Sequence, residues 1–164
     1  MPKKVTLLGF CLAAAMLLSY IETLIPPLVS IPGVKVGLAN IIVIFALWQI
    51  GIKEAYLISL SRIILCALLF GSLLGFVYSL CGAVLSLTVM VILKKTDLFS
   101  IIGVSIAGGV LHNFGQIIAA IFILGTEAVL AFLPVLIITG VLAGAAIGII
   151  SALIIKRFSS FKFI

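Results

Sequence analysis

Polar side chains interrupt runs that are otherwise apolar at Glu22, Asn40, Arg62, His112, Asn113 and Gln116. Arg62 carries the heaviest constraint. An arginine at the centre of a membrane helix costs roughly 2.5–3.5 kcal/mol even on the lenient insertion scale. It must therefore meet carbonyls, amides, water, a carboxylate or an anionic ligand. Two readings stay open: a strut that pairs with Glu22, Asn113 or Gln116 to fix the bundle, or a direct contact to a substrate. His112 and Gln116 are four residues apart and share a helix face, with Asn113 beside them. A lone histidine in a helix is usually a hydrogen-bonded structural residue. Here Gly108-Gly109 precede it and Phe114-Gly115 follow, small residues that let another helix or a ligand approach. The run Pro32-Gly33-Val34-Lys35-Val36-Gly37-Leu38-Ala39-Asn40 sets Lys35 and Asn40 where a glycine-containing stretch opens a helix, a place that can aim amides at an anion. The candidate substrate contacts are Glu22, Lys35, Asn40, Arg62, His112, Asn113 and Gln116, and the ligand they suit is anionic or strongly hydrogen-bonding.

Other chemistries lack their residues. There is no Walker lysine motif, so ATP hydrolysis is not expected of this chain. Asp97 is the only aspartate, so the paired Asp-rich motifs that hold magnesium and diphosphate in prenyl transferases cannot form. No Ser-His-Asp set falls at one depth. Cys11, Cys66 and Cys81 lie inside apolar stretches without a CxxC, and His112 is the only histidine. Neither a metal cluster nor a disulfide framework is expected. The chain reads as no enzyme, with no cofactor.

The elements that hold these residues follow from composition. Of 164 residues, 65% are hydrophobic and 9% charged, against about a quarter charged in a soluble domain. A soluble enzyme, a disordered regulator and a secreted disulfide scaffold are poor fits. The net charge of +6 does not form a basic face for nucleic acid, because Lys and Arg sit at the ends of apolar runs. The expectation is an all-α integral membrane protein, a six-transmembrane-helix bundle forming a single domain over 1–164. The spans are expected at about 5–25, 37–50, 54–70, 73–93, 98–124 and 130–155, with a proline-rich loop after the first. The runs exceed a barrel strand and do not alternate with period two. Without water to satisfy the backbone, helices remain. No small-residue cleavage site ends the first run, so it reads as a retained helix rather than a signal peptide.

Orientation follows from the loop charges. With the N-terminus inside, Lys3, Lys4, Lys53, Lys94, Lys95, Lys156, Arg157 and Lys162 are cytoplasmic and Lys35 alone is outside. Both termini are then cytoplasmic, in a prokaryotic cytoplasmic membrane. At 1.5 Å per residue, Arg62 lies about 14 Å above the inner end of its helix, and His112 and Gln116 about 21 and 27 Å along theirs. On that ruler the polar residues share a layer in the outer half, and no carboxylate shares the depth of Arg62. Gly9 and Ala13, then Gly71, Gly75 and Ser79, then Gly140, Gly144 and Gly148 repeat every fourth position, which permits close helix approach. Such stripes pack helices within the chain or dock a separate membrane protein.

Three stretches carry a resemblance: residues 32–40 as quoted, Arg62 through Leu69-Phe70-Gly71, and Gly109-Val110-Leu111-His112-Asn113-Phe114-Gly115-Gln116. Over nearly the whole chain they resemble the Gx transporter family, also named heptaprenyl diphosphate synthase component I. That family is similar in turn to the substrate-binding S components of energy-coupling factor transporters. The resemblance implies a pocket in the outer half, a transmembrane coupling protein and two ATPase subunits as partners, and docking through small residues of helix one, here Gly9 and Ala13. It implies capture of a small vitamin- or precursor-like ligand. The alternatives are a non-catalytic membrane subunit associated with heptaprenyl diphosphate or quinone synthesis, and a free-standing secondary carrier.

Overall fold

The computed structural model describes residues 2–25 and 37–159. The expected loop over 26–36, including Lys35, and the tail from 160 onward, including Lys162, lie outside the described residues. The elements are α1 (Pro2–Leu24), α2 (Asn40–Gln49), α3 (Ile52–Phe70), α4 (Leu73–Lys95), α5 (Ile101–Leu124) and α6 (Leu133–Arg157), and among the described residues there is no strand.

Local chemistry sets the boundaries and moves several from where the hydropathy pattern put them. α5 starts at Ile101 rather than 98 because the Ser100 hydroxyl caps it, accepting from the Gly103 N–H at 3.2 Å. Gly125, at φ +63°, closes that helix in the left-handed region. α6 starts at Leu133 rather than 130, since Glu127–Phe132 winds as a 3-10 helix. α2 is shorter than the expected 37–50: Gly37 turns at φ +80° and regular helix begins at Asn40.

The helices run alternately up and down. Lys4 Nζ pairs with Glu54 at 2.5 Å at one end, while Tyr20 and Phe70 stack edge-on with centroids 5.6 Å apart at the other, so α1 and α3 are parallel. Lys94 Nζ donates to the Leu47 carbonyl at 2.5 Å, and Gln49 Nε2 donates to the Ile155 carbonyl at 3.3 Å. The last turns of α2, α4 and α6 therefore meet the first turns of α1 and α3. Lys3, Lys4, Lys53, Lys94, Lys95, Lys156 and Arg157 all belong to that end. Among the described residues, Arg62 is the basic residue set apart from it.

Close backbones hold α4, α5 and α6 together. A Cβ on Gly144 would lie 2.7 Å from Ile106 Cα and 2.7 Å from the Ser105 carbonyl, so only glycine permits this crossing. The Ser105 hydroxyl donates to the Gly144 carbonyl at 2.7 Å, and the Ser86 hydroxyl to the Gly108 carbonyl at 2.8 Å. The stripe Gly140, Gly144 and Gly148 is thus internal packing, which settles the open choice for helix six. Gly9 is the opposite case. Nothing lies within 4 Å of where its Cβ would be, and Gly9 and Ala13 share an exposed face with Val5, Phe10 and Leu17.

α1, α4, α5 and the stretch ending in α6 are each long and apolar enough to cross a membrane. These are the helices of a multi-pass membrane protein. α3 carries Lys53, Glu54 and Arg62. α2 has 10 residues, and at 1.5 Å per residue it is about 15 Å long, roughly half of a 30 Å hydrocarbon core. α2 is thus shorter than the expected span, and it lies in the core of the bundle. Ile41 and the run from Val43 to Leu47 are buried, as befits a helix apolar on all sides.

Candidate functional site

A cavity of about 360 Å³ opens at the end away from the basic cluster. It lies between the last turns of α1 and α3, the first turns of α2 and α4, and the second half of α5. Glu22, Asn40, Arg62, His112 and Gln116 all line it. Five of the seven expected site residues, from four helices, thus border one space. Lys35 is outside the described residues. Asn113 is turned away: its Nδ2 donates to the Leu136 carbonyl at 2.7 Å and lies 3.5 Å from the Thr139 hydroxyl, tying α5 to α6. Asn113 borders a separate void of about 40 Å³ instead.

Arg62 sits 10 residues into α3, about 15 Å from its start and 12 Å from its end. Nη1 donates to the Ser19 hydroxyl of α1 at 2.9 Å. Nε is shielded from solvent and has no hydrogen-bond partner. A guanidinium carries five N–H donors, so this one is far from satisfied, and it borders the cavity. Glu22, weighed from the sequence as a partner for Arg62, lines the same cavity. The two form no ion pair. The Glu22 carboxylate instead accepts the Gly37 N–H, where the chain turns into α2.

His112 Nε2 and Gln116 Nε2 approach to 3.4 Å, an i, i+4 pair on the cavity side of α5. Gly82 of α4 makes room for this histidine: a Cβ there would lie 2.8 Å from the His112 carbonyl and 3.0 Å from its ring. Several wall residues were missed from sequence, among them Ser19, Cys66, Phe70 and Phe76. Ser19 had a signal, three residues before Glu22 on one face of α1. Cys66 and Phe70 follow Arg62 at four-residue steps on α3, but as apolar residues in an apolar run they could not be told from lipid-facing ones. Among the described residues no three His, Cys, Asp or Glu side chains gather as metal ligands.

The arrangement joins a buried cation, a tethered carboxylate, an imidazole–amide pair and two phenyl rings around a small space. It suits binding. A family model described as heptaprenyl diphosphate synthase component I matches residues 11–154. No curated protein and no solved structure matches the chain.

Proposed function

The chain belongs to the heptaprenyl diphosphate synthase component I family, and from that premise we propose that it is a membrane substrate-binding component. In this reading it captures a small ligand in the 360 Å³ cavity, as an S component does for an energy-coupling factor importer. The whole chain forms one transmembrane domain of six helices in a prokaryotic cytoplasmic membrane, with both termini cytoplasmic. The under-satisfied Arg62 on the cavity wall carries the proposal, because a fold that needed only a strut would pair this charge fully. The basic cluster at the opposite end supports an outward-facing cavity. Energy would come from two ATPase subunits through a transmembrane coupling protein. The exposed face of Gly9 and Ala13 on α1 is where that protein would dock.

The family's description favours a second reading, a non-catalytic membrane subunit working with a soluble prenyl diphosphate synthase. Co-purification in mild detergent separates the two. Coupling and ATPase subunits retained with the tagged chain support the importer reading; a retained soluble prenyl transferase, with no ATPase, overturns it.

A further inference from the structure

The two opposite charges of the cavity are held apart by partners of their own. Arg62 is drawn to Ser19 on α1, and Glu22 to the Gly37 N–H at the approach to α2. In a low-dielectric interior the attraction between such charges is strong, yet no ion pair joins them. Both face one cavity, and Arg62 retains an unpartnered buried Nε beside it. We propose that the cavity is a bipolar site for a small zwitterion, its oxyanion on the Arg62 guanidinium and its ammonium on the Glu22 carboxylate.

This rests on the capture reading and narrows its ligand. Glu22 decides against a bare polyanion: a diphosphate would bring two or more negative charges to a cavity whose wall, among the described residues, has Arg62 as its one Lys or Arg and a carboxylate besides. Size agrees. A volume near 360 Å³ is about a dozen water volumes at ~30 Å³ each, room for a compact molecule and not for a long prenyl chain. Phe70 and Phe76 on the wall supply apolar surface for its body.

Cys66 on the same wall is a built-in reporter. The experiment uses the full chain in lipid nanodiscs, with Cys11→Ala and Cys81→Ala, and follows N-ethylmaleimide labelling of Cys66. The probes are para-aminomethylbenzoate, its amide para-aminomethylbenzamide, benzoate and inorganic pyrophosphate. The zwitterion is expected to slow labelling at the lowest concentration, benzoate and the amide at higher ones, and pyrophosphate not at all. Arg62→Gln should raise the half-protecting zwitterion concentration about ten- to a hundredfold, the span for a charge-assisted hydrogen bond. Arg62→Lys, which keeps the charge without the fork, should recover part of this and guards against a folding failure. Glu22→Gln should cancel the advantage of the zwitterion over benzoate while leaving benzoate unchanged. Protection by pyrophosphate equal to that by the zwitterion overturns the bipolar site and leaves capture standing. So does a zwitterion no better than its amide. A Cys66 that never labels means a cavity sealed to small solutes, and the capture reading falls with the assignment.

Discussion

Arg62 and Asn113 look alike in the sequence, polar residues deep in apolar helices, but their surroundings separate them. Asn113 is tied to α6 through its Nδ2, which donates to the Leu136 carbonyl. Asn113→Ala removes this link between α5 and α6, while the Thr139 hydroxyl still donates to the carbonyl at 3.2 Å, and should cost about 0.5–1.5 kcal/mol of stability. It should leave ligand protection of Cys66 unchanged, since the side chain does not reach the cavity. Altered protection in Asn113→Ala at unchanged stability would sink this division of roles. Ser19 is the residue that holds Arg62 in place. Ser19→Ala adds a second orphan donor to a guanidinium that already has one, and the unfolding midpoint in nanodiscs should fall by an equivalent of about 1–3 kcal/mol. An unchanged midpoint would mean that the guanidinium finds another partner at no cost.

Small residues do two jobs that depend on which way a helix face points. Gly144 has no room for a side chain between α6 and α5. Gly144→Leu must push the backbones apart, and a loss of about 1–3 kcal/mol or more is expected, the range for overpacked sites. Gly9→Leu meets nothing within the chain, so the midpoint should hold while co-purification of a coupling subunit is lost. If Gly9→Leu unfolds the protein as readily as Gly144→Leu, the α1 face is internal packing and the docking proposal is wrong. At the far end of α2, Lys94 supplies a donor to the Leu47 carbonyl and lies 5.2 Å from the Trp48 ring centroid. A cation belongs at a helix C-terminus, and here it lets a buried helix end within the bundle.

At the scale of the molecule, the alternating helices gather seven of the lysines and arginines among the described residues at one end and the cavity at the other. A membrane with cytoplasmic positive loops would then display the cavity outward. Single cysteines at Glu127 and Thr96, in a cysteine-free background, test this directly. An impermeant maleimide should label the position of Glu127 in intact cells and that of Thr96 only after permeabilisation. Labelling of Thr96 in intact cells would invert the orientation and turn the cavity to the cytoplasm.

Composition and the placing of charges were enough to establish a helical membrane protein, most of its helix limits and the separation of its two ends. These properties follow from the solvent: hydrocarbon demands apolar helices, and charge retreats to their termini. The residues worth examining were legible for the same reason, since a polar group such as Arg62 or Gln116 stands out against an apolar run. What each one touches was not legible. Asn113 and Gln116, three residues apart on one helix, part company because a few tens of degrees about the axis turn one to α6 and the other to the cavity. Glu22 reaches the wall shared with Arg62 only because α1 and α3 lie parallel and in register. The sequence marks α2 as apolar but not what covers it; its burial among neighbouring helices is a property of the packed bundle. Side-chain direction and helix register are set by packing between distant parts of the chain, and only the tertiary structure decides them.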